Sequence, residues 1–234
     1  MKRIFAIVII CTGLILLASC KRDSYITGGS LHNPKFDMTT YDFLKNRPDG
    51  LFDTLVQLVD KAGLKDLLNK NNITFFAPTD YSILKYLDSR TKEEQKINEN
   101  RKWTLDSMVK YELPKFSDSL KTYIVDQKLT FGSLTNNGTI LPTEKAGSQT
   151  VVSYEEIGPD HPDYEKLGGN TNVSTNPHIV YYTLLYAPLT PPVVAPDITA
   201  EQGRRERVQT SGIETNTGMI QVLNNDHILF FRQP

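Results

Sequence analysis

The chain has 234 residues, 26 of them basic and 27 acidic, and a formal net charge of −1. This near-neutral balance does not favour nucleic acid as a partner, because nucleic-acid binding depends on clustered lysine and arginine. Both cysteines, Cys11 and Cys20, lie in the first twenty residues. The rest of the chain therefore excludes a disulfide framework, a cysteine nucleophile and a cysteine-ligated zinc site, and its length predicts a single domain.

The first nineteen residues predict a secretion signal. Two basic residues precede an apolar run from Ile4 to Leu17, which suits a signal peptide and is short for a membrane span of about 20 residues. The run ends in Leu-Ala-Ser-Cys, which resembles the bacterial lipobox. We therefore expect cleavage before Cys20 and a covalent lipid on its thiol. The alternatives are an ordinary signal peptide cut near Ala18–Ser19 and an uncleaved anchor.

Residues 20–38 predict a lipidated tether, and residues 39–234 the domain that it carries. The tether segment contains Gly-Gly and Asn-Pro and has little periodic hydrophobicity, as is typical of a flexible linker. Lys21 stands where some bacteria place an aspartate that retains lipoproteins at the inner membrane. We therefore expect the outer membrane as the location, with the cell surface favoured over the periplasmic face.

The first half of the domain predicts helices around one buried strand. Apolar residues at helical spacing predict short helices at 41–44, 51–63 and 64–68. Ile73–Ala77 is typical of a buried strand, and Pro78 ends it before a helix that begins at Thr79 or Asp80. Residues 91–94 carry the pattern of a capping box and predict a further helix towards residue 111.

The second half predicts mostly strands. The β-rich segments lie at 123–125, 129–131, 138–141, 150–154 and 179–186, with a closing hairpin at 219–223 and 228–231. The polar segment 158–177 and the proline-bearing segment 188–196 predict loops. The run Arg204-Arg205-Glu206-Arg207 is split by a carboxylate, which favours a solvated loop or a helix end over a nucleic-acid patch.

Three segments together resemble the fasciclin domain family. Residues 72–80, Asn-Ile-Thr-Phe-Phe-Ala-Pro-Thr-Asp, resemble its first signature, in which a strand enters a helix through an Ala-Pro-Thr corner. Residues 120–125 and 217–224 resemble two later motifs in the same order, and the resemblance spans about residues 39–233. We expect Thr79 or Asp80 to cap the helix that follows the corner.

The resemblance implies an α/β (α+β) fold, a single domain with a β-sheet wedge flanked by several short helices and with long inserted loops. It also implies adhesion or extracellular binding, without a reaction or a cofactor. The chain departs from the family where Thr122-Tyr123 replaces a Tyr-His pair and Gln221 replaces a histidine. The integrin-binding role linked to the Tyr-His region of animal members is therefore not transferred.

The sequence gives little support for catalysis or for metal binding. The four histidines lie in no catalytic motif, and each is interpreted as a surface or strand-edge residue. A glycan hydrolase needs only two carboxylates, so it stays as the least favoured alternative. Asp160, His161, Asp163 and Glu165 cluster in the long loop, but their spacing is not that of a calcium-binding loop, and a solvated acidic loop is favoured.

The positive hypothesis is a glycan-binding surface built on tyrosines. Exposed aromatic rings offer flat apolar faces to sugars, and five tyrosines lie in or beside the inserted loops and the strongest strand: Tyr154, Tyr164, Tyr181, Tyr182 and Tyr186. Side chains alternate between the faces of a strand, so packing explains about half of them. We expect the loops at 158–177 and 188–207 to form one aromatic patch that serves an outer-membrane uptake system. The alternative is a structural subunit that docks to a neighbouring membrane protein.

Overall fold

The computed structural model describes residues 35–164 and 176–232. The predicted signal peptide, the lipidation site Cys20 and most of the predicted tether lie outside the described residues, as does part of the long loop before residue 176. Within the two described ranges, no helix is both long enough and apolar enough to cross a membrane.

The domain is α+β, as predicted, with short helices concentrated in its first half. The α-helices of the described residues are α1 (Thr40–Lys45), α2 (Asp53–Ala62), α3 (Lys65–Leu68), α4 (Asp80–Gln95), α5 (Leu105–Tyr111) and α6 (Leu113–Leu120). The strands are β1 (Ile73–Ala77), β2 (Ile124–Val125), β3 (Thr139–Pro142), β4 (Gln149–Glu156), β5 (His178–Leu185), β6 (Gly203–Glu214) and β7 (Gly218–Leu223). Short 3-10 turns lie at Lys121–Tyr123, Phe131–Ser133, Ala195–Asp197 and Leu229–Phe231.

The seven strands form one sheet that curls towards closure. Their order is β2-β1-β7-β6-β5-β4-β3, with β1 parallel to β7 and the other neighbours antiparallel. Val125 of β2 forms a bridge with Thr143 just beyond β3, and the Glu144 N–H donates to the Ile124 carbonyl at 2.9 Å. Since the first and last strands of the order touch, the sheet is a nearly closed barrel with a buried inner face.

Strand β1 lies at the centre of the fold. All five of its residues are buried, and Ile73 to Ala77 pair in parallel with Gly218 to Val222 of β7. A parallel central strand is covered on both faces, which explains its unbroken run of apolar residues. Phe75 and Phe76 are fully buried within the main core.

The corner after β1 works differently from the prediction. Thr79 occupies the N-cap position of α4, but its side chain makes no cap bond and instead donates to Asn225 Oδ1 at 3.0 Å. The Asp80 carboxylate accepts hydrogen bonds from the backbone N–H groups of Thr54 and Leu55, at 2.7 and 3.0 Å. Asp80 therefore caps α2, whose own cap position holds the apolar Phe52, and stabilises that helix terminus with its negative charge.

Several predicted boundaries are wrong. Helix α4 runs without a break through residues 91–94, and the capping box lies at Thr104 and Ser107. The predicted strands at 129–131 and 228–231 are replaced by a 3-10 turn at each place. Residues 35–38 belong to the domain, because the Phe36 N–H donates to the Glu214 carbonyl and the Asn216 N–H donates to that of Met38, at 2.8 and 2.9 Å.

Strand β6 is the element that the sequence pattern missed. It pairs with β5 on one side and with β7 on the other, and it contains the charged run 204–207. A strand with one buried face normally shows alternating apolar residues. In β6 a charged residue, Glu206, faces the core, so the sequence does not show the alternation of apolar and polar residues that marks a strand.

Candidate functional site

The strands β4, β5 and β6 present two faces of opposite character. Val152, Tyr182 and Glu206 are cross-strand partners and point into the barrel, which we call the inner face. Their neighbours Ser153 and Tyr181 lie on the other side, which we call the outer face, because side chains alternate along a strand. Each predicted tyrosine must therefore be placed on one of these faces before its role is judged.

Tyr182 belongs to the core and not to a binding surface. It is 0% exposed, its ring lies 4.5 Å from that of Phe76 and 5.4 Å from that of Phe231, and its hydroxyl donates to the Thr122 carbonyl. The expected exposed platform is wrong at this position, because a fully buried ring offers no face to a ligand.

Tyr181 and Tyr164 lie on the outer face but are also covered, at 3% and 7% exposure. They pack with two isoleucines in a small satellite cluster. The Tyr181 hydroxyl donates to Asp163 Oδ2 at 2.6 Å, and the Arg205 guanidinium lies 3.8 Å from the ring centroid. Burial and the bond to Asp163 raise the pKa of Tyr181. An arginine thus occupies the ring face that a sugar was expected to use.

The two inserted loops join β5 at its opposite ends. The loop after β4 leads into His178, and the loop before β6 leaves from Leu185, at the other end of β5. The seven steps from His178 to Leu185, at about 3.4 Å each, place the two ends of β5 roughly 24 Å apart. Residues 165–175 lie outside the described residues, so the expectation of one aromatic patch shared by the two loops stays a prediction.

Tyr186 is the most exposed of the five tyrosines, at 50%. Its N–H donates to the Gln202 carbonyl at 2.9 Å. Gln202 also lines a cavity of about 360 Å³ within the loop between β5 and β6. The walls of this cavity are mostly aliphatic and prolyl, and they include the carboxylate of Asp197.

Tyr154 lies in a ladder of three aromatic rings. Its ring centroid is 5.0 Å from that of Phe131 and 4.9 Å from that of His178, with interplanar angles of 32° and 37°. Phe131 is 43% exposed, His178 is exposed and Tyr154 is half-buried between them. The two end rings therefore present apolar surface to solvent at one end of β4 and β5.

A glycine and a polar rim support this ladder. Gly212 has a φ of +77°, and a Cβ there would approach the Phe131 ring to 2.8 Å, so only glycine lets the ring lie on β6. Glu156 pairs with His178 in the sheet. Its N–H donates to Asn136 Oδ1 at 3.0 Å, and its carboxylate accepts from Asn176 at 2.8 Å. Carboxylate and amide groups are thus held beside exposed rings.

The inner face carries a buried polar cluster around His227. His227 is 0% exposed, and its Nε2 lies 2.8 Å from the Tyr123 hydroxyl, which accepts a bond from the Phe230 N–H. Its Nδ1 lies 3.3 Å from Glu206 Oε1 without hydrogen-bond alignment, and Arg204 donates to the same oxygen at 2.8 Å. Burial lowers the pKa of His227. The interpretation of His227 as a surface or strand-edge residue is therefore wrong, because the side chain lies in the core.

The predicted acidic loop contains no grouped metal ligands in the described residues. No set of three histidine, cysteine, aspartate or glutamate side chains converges within ranges 35–164 and 176–232. In the loop itself, His161 Nδ1 accepts a bond from the Asp163 N–H at 3.1 Å. Glu165 lies outside the described residues.

The ring partners of Tyr154 were not predicted. Phe131 was assigned to a strand and His178 to the start of one, so neither suggested a surface. The available signal was Tyr154 itself, which lies near the end of a half-buried strand, where an inward side chain reaches the barrel mouth. Its neighbours come from segments 23 and 24 residues away, which no local pattern connects.

The comparisons with known proteins bear on the fold. The family model of the fasciclin domain matches residues 50–225. A solved FAS1 domain pair from the insect cell adhesion molecule fasciclin I is similar at 12% identity and a TM-score of 0.46, over 79% of this chain. This chain spans 47% of that structure, and no curated protein matches. Because the family model covers most of the chain, the chain belongs to the fasciclin domain family, whose members are associated with adhesion or binding.

Proposed function

We propose that this chain is a lipid-anchored binding protein of the bacterial outer membrane that takes a glycan chain on the ladder formed by Phe131, Tyr154 and His178. Sugar rings stack their C–H faces on exposed aromatic rings, and their hydroxyls need nearby donors and acceptors. The single observation that supports this role most is the ladder itself, with two exposed end rings beside amide and carboxylate groups.

The proposed anchor and location rest on the sequence. Residues 17–20 resemble a lipobox, and the lipid on Cys20 would hold the protein at the membrane while the domain from Lys35 onward faces its partner. A glycan captured at the surface would then be passed to an outer-membrane uptake protein. The domain that remains when the anchor is removed is also the natural reagent for a binding assay.

The test is a glycan-array screen of the chain from residue 20 with Cys20→Ser. Saturable binding should be lost in Phe131→Ala and weakened at least about tenfold in His178→Ala, the scale expected when an aromatic contact is removed from a small ligand. Phe131 is exposed, so its loss should leave the fold intact, and thermal melting checks this. Tyr186→Ala is the matched control, because it removes a half-exposed ring at the far end of β5.

Two outcomes of this screen would contradict the proposal. Binding that survives Phe131→Ala but is lost in Tyr186→Ala would contradict the ladder and move the site to the cavity between β5 and β6. A blank across plant, microbial and host glycans would contradict glycan binding altogether.

One observation favours a second role, docking to a neighbouring membrane protein. Tyr81 and Leu84 lie three residues apart on α4 and are 53% and 56% exposed. Residues at this spacing share one helix face, and exposed apolar patches often mark interfaces. A pull-down from native membranes with wild type and with Leu84→Ser would separate this role from the first, because the ladder lies on a different part of the fold.

A further inference from the structure

A carboxylate lies on the same face of the sheet as the rings of the ladder. Glu156 is the direct cross-strand partner of His178, and it follows Tyr154 by two residues on β4. Directly paired residues lie on one face of a sheet, with Cβ atoms about 5 Å apart, and residues two apart along a strand share that face. The Glu156 carboxylate therefore lies beside the rings of Tyr154 and His178, at one end of β4 and β5.

The Glu156 carboxylate has an oxygen that is free to bind. Its Oε1 atom accepts a hydrogen bond from the Asn176 amide at 2.8 Å. Its Oε2 atom has neither a hydrogen-bond donor nor an ion-pair partner among residues 35–164 and 176–232. Glu156, Asn176 and His178 are all exposed, so a solute can reach the free oxygen.

The Phe131 end of the ladder has a different charge balance. Lys128 precedes Phe131 by three residues and donates to Glu214 at 2.8 Å. Lys35 contacts the same carboxylate oxygen at 3.6 Å. Two ammonium groups share this carboxylate, so negative charge is not in excess there. A cation carried by a ligand is therefore expected at the other end of the ladder, beside Glu156.

Aromatic faces next to a free carboxylate oxygen favour a cationic group on the ligand. The face of a tyrosine or phenylalanine ring attracts an ammonium that lies within about 6 Å of the ring centroid. An ammonium has three N–H donors and no acceptor, and the oxygens of Glu156 and of the Asn176 amide are the acceptors that it requires. A carboxylate or sulfate on the ligand would instead be repelled by Glu156.

We propose that the ladder selects an amino sugar with a protonated amine. The ammonium binds Glu156 and Asn176 at the His178 end, and the neighbouring sugar rings stack towards Phe131. This inference rests on the proposed function, because it assigns the charge class of the glycan that the same surface takes. The flat rings favour an amino sugar over a lysine side chain, since a lysine stem has no ring face to stack.

The test is isothermal titration calorimetry of the chain from residue 20 with Cys20→Ser against linear tetramers of glucosamine, N-acetylglucosamine and glucose. The tetramers share one linkage, and only the first is charged at a pH that keeps its amines protonated. The glucosamine tetramer should bind at least about fivefold more tightly than the other two, the scale of one exposed ion pair. Added salt should reduce this preference, because it screens exposed charges.

Two variants connect the preference to one carboxylate. Glu156→Gln keeps the size of the side chain and an oxygen for the Asn176 amide, but it removes the charge, so it should abolish the preference for the glucosamine tetramer. Glu201→Gln is the matched control, because it removes an exposed carboxylate in the loop at the far end of β5. This control should leave the preference unchanged.

The failure of this inference can be told apart from the failure of the glycan-binding role. Neutral tetramers that bind as tightly as the glucosamine tetramer, and lose binding in Phe131→Ala, would overturn the charge selection and leave that role standing. A preference that persists in Glu156→Gln would overturn it as well. The absence of binding by every tetramer, together with a blank array, would overturn both. Tighter binding of a lysine tetrapeptide that is lost in Glu156→Gln would overturn the choice of a sugar and assign the site to a basic peptide.

Discussion

The two faces of strands β4, β5 and β6 carry side chains with different environments. On the inner face, Tyr182 packs between aromatic rings, and a polar cluster around His227 and Glu206 lies buried in the core. On the outer face, a polar centre lies between two small apolar clusters and leaves Thr183 and Arg207 with donors that no described group accepts. The inner face packs the core along most of its length, and only at one end does Tyr154 join the exposed rings of the ladder.

The largest predicted effect belongs to the inner face. Tyr182→Ala should lower the free energy of unfolding by about 3–5 kcal/mol, because it leaves a cavity among fully buried rings. Tyr186→Ala removes the same side chain from a half-exposed position and should change stability by no more than about 0.5 kcal/mol. Urea denaturation of both variants measures the difference. Equal effects would contradict the assignment of Tyr182 to the core.

A smaller effect should appear when the pH is lowered. Burial lowers the pKa of His227 below its ordinary value of 6.5, although the nearby Glu206 acts in the opposite direction and Arg204 and Lys85 add to the lowering. The unfolded chain then takes up a proton that the folded chain refuses, so the stabilisation is present above pH 6.5 and is lost as the pH falls below it.

The measurement is the free energy of unfolding between about pH 7 and pH 5, the range in which an ordinary histidine titrates. The wild type should lose stability across this range, and His227→Gln should lose less, because it has no proton to accept. The same slope in both proteins would show that His227 is not held neutral in the core.

The smallest predicted change in stability is that of removing the buried Thr183 hydroxyl. Thr183→Val replaces an unpartnered hydroxyl with a methyl group of similar shape, so it should be neutral or stabilising by up to about 1 kcal/mol. Thr74→Val is the matched control, because the buried Thr74 hydroxyl donates to the Gln127 carbonyl at 2.7 Å and accepts from the Leu129 N–H at 2.8 Å. This control should destabilise by about 1–3 kcal/mol. Thermal melting that shows the same loss in both would mean that Thr183 has a partner after all.

The fold was predictable where local pattern and final environment agree. Ile73–Ala77 is apolar throughout because it is covered on both faces, and Pro78 ends it as expected. Strand β6 was not predictable, because Glu206 faces the core and is satisfied by Arg204, which is two residues away, and by its approach to His227, which is distant in sequence. The capping role of Asp80 could not be predicted from local sequence either, because its partners Thr54 and Leu55 lie on another helix.

The site was predictable only in part. Tyrosine composition pointed to the right strands, but position along the strand decided which face each ring joined. Tyr182 points inward, while Tyr181 points outward and is covered by Arg205 and by the loop that carries Asp163. Only Tyr154 gained neighbours of the expected kind, through two residues that are distant in sequence.

The central claim is that the exposed rings of the ladder bind sugar, and the most direct measurement is an aromatic-region magnetic resonance titration with the tightest ligand found on the array. We predict saturable shifts at Phe131 and His178, with Tyr182 unaffected because it is buried. Shifts confined to Tyr186 and the loop between β5 and β6, with the ladder rings unchanged, would contradict the account.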